Sequence, residues 1–403
     1  MPNNNKIISC LACGSNDLYP YIDLGYQALA NDYVAEPQKQ PSYPLAVNLC
    51  KNCYHSQLGV AVDSDLLYKN YLYVSGTSTT LQKYFEWFVT KVENGDGRKL
   101  SVLDIASNDG SLLAEFRKRG HSVIGVDPAT NLMTLAASKG VETINNYWTE
   151  DFARTLDKKF DVVVSMNVLA HNADPLDFVR GVTHVLNADG RFFVQTSQSE
   201  IFRNFEFDTI YHEHHSFFTT RSFKALFDRC GLQIANAEKV PVHGNSYLVE
   251  VKNEQQPGGS KTFEDMMALE DGWNYFDMKT YVDFQARISN LAEITLSEAA
   301  RLRSQGFKLV GYGAAAKAKT FLNYSNLALD YIVDENPMKI GLYTPGRNIE
   351  IKAPDVLATE TNKLAIFITA WNFSDEIVSK VKTIRNNKND TFFTYFPSVR
   401  FLS

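Results

Sequence analysis

Apolar and polar positions along this chain fall into two long stretches where short buried-strand patterns alternate with helical ones. From Lys99, "KLSVLDIAS" reads as a buried strand and "SLLAEFRKRG" as an amphipathic helix that stops at a glycine. "HSVIGVDP" and "TNLMTLAASKG" repeat the pair, followed by the strand "FDVVVSMNVLAH", a helix through "PLDFVRGVTHVL" and the strand "GRFFVQTS". "RSFKALFDRCG" reads as a helix, and "LQIANAEKVPV" and "NSYLVEVKN" as a closing pair of strands. Such βα repetition predicts a doubly wound α/β sheet, with ligands at the carboxyl ends of its strands. "NEQQPGGSK" (253–261) is the best linker candidate, and helical periodicity follows it up to Gly306, broken near "DGWN". "FKLVGYG" then opens a second α/β region through "LDYIVDE", "KLAIFITAWN" and "TFFTYFP". Residues 1–75 show too little regular periodicity for a core of their own, so a small stapled module is expected there. The expected domains are therefore 1–75, 76–255 and 256–403.

The staple is legible in the cysteines. Four of the five form C-x-x-C pairs, Cys10/Cys13 and Cys50/Cys53. In a reducing compartment paired knuckles of this kind favour tetrahedral Zn²⁺ over disulfides. Four thiolates leave no position for water, so the metal is expected to be structural. Cys230, at the end of a helical pattern, reads as a small buried hydrophobe.

Composition narrows the classes. A length of 403 residues points to two or three domains, and 44% hydrophobic with 21% charged residues is an ordinary globular balance. A net charge of −6 gives no bulk attraction to nucleic acid or anionic lipid. No apolar run is long enough to span a bilayer, and "MPNNNKIISC" lacks the apolar core of a signal peptide, so a cytoplasmic protein is expected, with its oligomeric state open and a monomer allowed.

The turn after the first strand, "LDIASNDGSLL", lacks the G-x-G-x-x-G that seats a pyrophosphate, which argues against a dinucleotide. Asp104 inside the strand, the small Ala106, and Asn108-Asp109-Gly110 suit instead a ligand with a cationic aminoacyl end. Asp127, closing the second strand, suits a ribose diol. In the second region "GYGAAAKA" offers either an anion-holding helix N-terminus, with Lys317 or Lys319 adding charge, or tight strand–helix packing around Gly311 and Gly313. "IYHEHHSFF" (210–218) gathers three histidines, a glutamate and a tyrosine; a metal pair from His212 and His214 and a plain polar loop are the competing readings.

"VLDIASNDGSLL", Asp127 and "NVLAH" resemble S-adenosylmethionine-dependent methyltransferases. Together with the cysteine module, "LYVSGTS", "FDTIYHEHHSFF", "VPVHGNS", "GYGAAAKA", "TPGRNIEI" and "AWN", nearly the whole chain resembles the three-part sugar C-methyltransferases, such as the deoxysugar C3-methyltransferases. The resemblance implies a four-cysteine zinc module, a Rossmann-like domain holding S-adenosylmethionine through Asp104, Ala106, Asn108, Asp109, Gly110, Asp127 and Asn167, and a second Rossmann-like domain. It implies methylation of a keto-deoxysugar carried on a nucleoside diphosphate. Alkylating such a carbon needs a base for a C–H next to the ketone and donors for the enolate oxygen. The family's Tyr-x-Glu-His pattern falls on Tyr211, Glu213 and His214: His214 as base, Tyr211 assisting, Glu213 orienting it or binding a sugar hydroxyl. His171 is the expected second imidazole and Tyr71 a wall near the donor. Tyr211 and Glu213 would share a strand face with His214 opposite, so a loop or bulge is expected there. His212 and His215 are expected to be structural. His243 can reach the same cleft, though a hydrogen-bonded core role is the commoner one. Gly313, Lys317, Trp371 and Asn372 are expected at the substrate nucleotide. "VQTSQSE" and His243-Gly244-Asn245-Ser246 depart from the family, so an acceptor other than a sugar, or an NAD(P)-dependent oxidoreductase or epimerase, is the alternative.

Overall fold

The computed structural model describes residues 5–68, 74–77, 79–95, 97–197, 200–242, 245–253, 260–385, 387 and 389–403. Tyr71, His243 and most of the linker candidate lie outside them. The chain divides into two compact units, each built from three stretches: Met1–Tyr19, Asn48–Ser199 and Glu213–Phe276 in one, Pro20–Val47, Glu200–His212 and Asp277–Ser403 in the other.

The amino-terminal region holds strands β1 (Leu18–Gln27), β2 (Tyr43–Cys50) and β3 (Ser56–Leu58). The sequence showed no clear period here, yet β2 alternates, burying Tyr43, Leu45, Val47 and Leu49. Pro44 and Ala46 put apolar residues on the opposite face as well, which masks the period of two.

The first unit holds α1 (Thr79–Glu93), β4 (Ser101–Ile105), α2 (Ser111–Lys118), β5 (Ser122–Val126), α3 (Thr130–Ser138) and β6 (Thr143–Ile144). Then come α4 (Glu150–Thr155), β7 (Phe160–Met166), α5 (Pro175–Val185), β8 (Leu186–Ser197), β9 (Ser216–Phe217), α6 (Thr220–Asp228), β10 (Leu232–Val240), β11 (Ser246–Asn253) and α7 (Lys261–Gly272). The seven-stranded sheet runs β10-β11-β8-β7-β4-β5-β6. Strands β8, β7, β4, β5 and β6 are parallel; β11 is antiparallel to both its neighbours. The order reverses between β4 and β7, which makes their carboxyl ends the topological switch point where such sheets bind ligands. Helix α1, which the strand–helix reading from Lys99 did not reach, buries Leu81, Phe85, Phe88 and Val92 at helical spacing against Leu112, Leu113 and Phe116 of α2.

Helix α6 begins in a capping box in which Thr219 and Ser222 satisfy each other's backbone N–H. Its first residue meets a buried carboxylate: Glu270 of α7 accepts the Thr220 N–H at 2.8 Å, the Thr220 hydroxyl, and the Tyr247 hydroxyl at 2.7 Å. Burial pushes Glu270 up to about 7, against the pull of those three donors. The folded carboxyl therefore holds its proton more tightly than the unfolded one. Its stabilising share is complete below about pH 4.5 and is lost as pH rises through 7. That share amounts to about 3 kcal/mol. Thermal melts of Glu270→Gln against the parent protein should show the parent losing more stability between pH 5 and 7; parallel curves would remove Glu270 from the pH response.

The second unit carries α8 (Phe284–Ser304), β12 (Lys308–Tyr312), α9 (Ala316–Ser325), β13 (Tyr331–Val333), β14 (Ile351–Lys352), β15 (Leu364–Ile368), α10 (Ser374–Ile384), β16 (Thr391–Thr394) and β17 (Arg400–Leu402). Its sheet order is β14-β13-β12-β15-β16-β17, parallel except for β17. The reversal between β12 and β15 repeats the switch point of the first sheet, so both predicted α/β regions form doubly wound sheets.

Candidate active site and zinc module

The two C-x-x-C segments fold as twins. Gly14 N–H donates to the Cys10 carbonyl at 2.8 Å and Tyr54 N–H to the Cys50 carbonyl at 2.9 Å. Cys10 N–H reaches the Ser15 carbonyl at 2.7 Å and Cys50 N–H the His55 carbonyl at 2.8 Å. Gly14 (φ 80) and Tyr54 (φ 55) hold the same left-handed turn. The four sulfurs lie within 4.8 Å of one another, with Cys10–Cys53 and Cys13–Cys50 at 3.5 Å. Sulfurs bound tetrahedrally at about 2.3 Å from a zinc ion lie roughly 3.8 Å apart, so the cluster fits the metal. Cys230 packs against the same core, and burial pushes its thiol up to about 11, as suits an inert residue.

At the switch point of the first sheet, Ala106 (φ 56), Asn108 (φ 53) and Gly110 (φ 71) alternate into the left-handed region between β4 and α2. Asp127, just after β5, locks this turn by accepting the Asn108 N–H on one oxygen and the Ala129 N–H on the other, both at 2.8 Å. Asp104 is buried, and burial together with the carboxylates of Asp127 and Asp109 raises its pKa well above the usual range. Among the described residues no cation pairs with Asp104, so a ligand bearing a positive charge would relieve it. That is the chemistry of S-adenosylmethionine. Asn108 and Asp109 also tie down a neighbouring turn: Ser75 N–H donates to the Asn108 side chain at 3.0 Å, and Gly76 N–H to the Asp109 carboxylate at 3.1 Å. Asp109 further binds the Ser111 hydroxyl at 3.0 Å and the Lys139 ammonium. A Cβ at Gly76 would sit 2.3 Å from both Asp109 Oδ2 and Ser111 Oγ, so only glycine permits this tie. Asn167 (φ 57) follows β7; its side-chain oxygen accepts Ser197 N–H at 3.1 Å and the Gln195 amide at 3.3 Å. Gln195 also donates to Ser246 Oγ at 3.0 Å.

"YHEHH" is not extended: the backbone bends at Tyr211, turns through His212 and Glu213, and becomes a strand only at Ser216. In the first unit, the His214 and His171 rings meet edge to face with centroids 4.7 Å apart. The Tyr68 hydroxyl lies 3.1 Å from the His171 carbonyl and 3.2 Å from that of Glu213, and so ties the two segments together. His215 Nδ1 donates to the His171 carbonyl at 3.1 Å. Desolvation, reinforced by His215, pushes His171 down to about 3. Glu213 and His214 are 3% and 5% exposed. Tyr211 and His212 belong to the second unit, where His212 Nε2 contacts the Tyr43 carbonyl at 3.3 Å.

In the second unit, Asp334 repeats the geometry of Asp127, accepting the Ala314 N–H at 2.6 Å and the Asn336 N–H at 2.8 Å. Gly313 (φ 103) leaves no room for a Cβ, which would lie 2.9 Å from that of Ala370. Lys319 is buried, its ammonium on the Ala30 carbonyl and 3.5 Å from the centre of the Tyr33 ring. Lys317 lies 3.7 Å from Glu206 and over the Trp371 ring at 5.4 Å. Trp371 and the exposed Asn372 share a short 3-10 turn. Periodicity gave no sign of Gly76, Lys139 or Glu206 as partners of these groups.

Three family descriptions match the chain in order: "Putative zinc binding domain" over residues 10–68, "Methyltransferase domain" over 79–237 and "C-methyltransferase C-terminal domain" over 241–397. The C-methyltransferase NovU of Streptomyces niveus is 28% identical over 98% of this chain and 97% of its own. A ubiquinone biosynthesis O-methyltransferase of Hydrogenovibrio crunogenus is 31% identical over 24% of this chain and 42% of its own. These similarities support an S-adenosylmethionine-dependent C-methyltransferase, with structural zinc held by Cys10, Cys13, Cys50 and Cys53.

Proposed function

We propose that the acceptor is a keto-deoxysugar linked to a nucleoside diphosphate, methylated at a carbon next to its ketone. The observation that carries this reading is the His171–His214 pair, two imidazoles in contact with one held neutral. A neutral His171 does not oppose the positive charge that His214 gains on taking a proton from carbon. His171 then serves as a neutral donor to the enolate oxygen or a sugar hydroxyl. Tyr211, three residues earlier in the chain, assists the proton transfer, and Glu213 orients the base or binds a sugar hydroxyl. Tyr71, outside the described residues, is the proposed wall near the methyl donor.

Bound S-adenosylmethionine supplies an electrophilic methyl group. Asp104 faces its positive charge, Asp127 takes the ribose hydroxyls, and Ala106, Gly110 and Asn167 shape the turn around it. The side chains of Asn108 and Asp109 act mainly by fixing that turn. Residues 256–403 help hold the substrate nucleotide, with Gly313, Lys317, Trp371 and Asn372 at the carboxyl edge of their sheet. The test is proton exchange in D₂O with the demethylated donor S-adenosylhomocysteine bound. Thymidine- and uridine-diphosphate keto-deoxyhexoses should take up deuterium next to the ketone, and should gain a C-methyl group when S-adenosylmethionine is supplied. Donor binding with no exchange in any such sugar would discard the sugar acceptor while leaving the methyltransferase assignment intact.

A further inference from the structure

The stretch just before Tyr211 is fastened within the second unit by polar contacts that neither the donor turn nor the histidine pair requires. Asp208 is fully buried, and its Oδ2 accepts the Trp371 indole N–H at 2.7 Å and the Tyr395 hydroxyl at 2.6 Å. Two residues on, the Ile210 carbonyl accepts the hydroxyl of Thr320, itself buried in α9, at 2.8 Å. Two residues earlier, Glu206 pairs with Lys317 at 3.7 Å. Aromatic packing backs these ties: Phe207 meets Phe321 at 6.2 Å, Tyr395 stacks on Phe321 at 4.1 Å, and Trp371 stacks on Phe396 at 4.1 Å. Two of the residues expected at a nucleotide, Lys317 and Trp371, thus direct polar groups at residues 206 and 208 of this same chain.

We propose that Asp208, Trp371 and Tyr395 are positioning residues: the carboxyl-terminal α/β unit sets the backbone from which Tyr211 projects. A buried carboxylate holding two donors on one oxygen fixes its own segment sharply, because releasing either donor leaves a charged group underbonded in a dry interior. The Thr320 bond holds the carbonyl immediately before Tyr211, so little backbone freedom remains at that residue. A displacement near 1 Å at a reacting group costs large factors in rate. The inference rests on the reading of Tyr211 as a participant in proton transfer.

Tyr395→Phe and Trp371→Phe test it: the first keeps the ring and removes only the donor, and the second removes the donor together with part of the indole while keeping an aromatic ring beside Phe396. With a thymidine-diphosphate 4-keto-6-deoxyhexose as probe, each should lower kcat about 10-fold. For Tyr395→Phe, KM should stay within about 2-fold, and for both variants the affinity for S-adenosylhomocysteine should do so, as befits a loss confined to the transition state. In a Tyr211→Phe background the same changes should cost nothing further, because the groups act through Tyr211. Full additivity in that background, or unchanged kcat in both single variants, overturns the positioning role. Wild-type turnover by Tyr211→Phe alone overturns the reading of Tyr211, and the inference with it. If the probe is not turned over, amide hydrogen exchange decides: protection at residues 206–212 should fall about 10-fold in either variant while that of α8 is retained, and unchanged protection at 206–212 refutes the clamp.

Discussion

Replacing His214 with asparagine will lower turnover about 10²–10⁴-fold while leaving S-adenosylhomocysteine binding intact. Asparagine keeps a hydrogen-bonding side chain of similar reach but cannot take up a proton at neutral pH. The proposed donor turn, built on Asp104 and Asp127 around β4 and β5, lies in other elements and is locked by its own bonds to the Asn108 and Ala129 amides. Affinity for the demethylated donor is therefore the control. A single-turnover measurement with a slowed variant and normal donor affinity supports the base assignment. Near-normal turnover transfers the role to His171 or Tyr211. Of these, His171 starts at a disadvantage: desolvation holds it near 3, so it accepts a proton poorly at neutral pH.

Removing zinc will unfold the amino-terminal module and take activity with it. The twin knuckles set four sulfurs within 4.8 Å, and without a metal their thiolates would repel one another. Binding free energies for structural zinc run to about 10 kcal/mol or more in small domains, comparable to the whole stability of a domain. Cys10, Cys50 and Cys53 pack in the same core as Phe223 and Phe227 of α6, so loss of the knuckles will spread inward. Chelator titration followed in parallel by melting, limited proteolysis and methyl transfer should show all three changing together. Activity lost while residues 10–68 stay protease-resistant would give the metal a chemical role instead.

Much of this is legible in the chain. Strand and helix periods locate both doubly wound sheets, because the central strands are buried on two faces and bounded by turn residues. The cysteine spacing is readable because a metal knuckle is local: its bonds close within five residues. The bend at "YHEHH" follows from the argument that a straight strand separates Tyr211 and Glu213 from His214. What the sequence conceals is long-range. Asp208 looks like any surface aspartate until Trp371 and Tyr395, far along the chain, close on it. Glu270 sits in an ordinary amphipathic helix, yet it is fully buried against Thr220 and Tyr247. Asn108 and Asp109 suggest ligand contacts on residue type alone, and their bonds to Ser75 and Gly76 lie in tertiary structure that no period encodes.

The second unit also imposes an order on synthesis. Residues 20–47 belong to it, and Tyr33 donates its hydroxyl to the Ala314 carbonyl at 2.6 Å while Gln27 contacts the Thr320 carbonyl at 3.4 Å. The sequence separations are 281 and 293 residues. At translation rates of about 5–20 residues per second, the early stretch waits roughly 15–60 s for its partners to leave the ribosome. No single cut in the gene frees this unit: a fragment beginning at residue 260 lacks Tyr33 beneath Lys319 and the segment that holds Asp208. Recombination that exchanges carboxyl-terminal halves between relatives must carry 20–47 and 200–212 along with them, or the imported half will arrive without part of its own core.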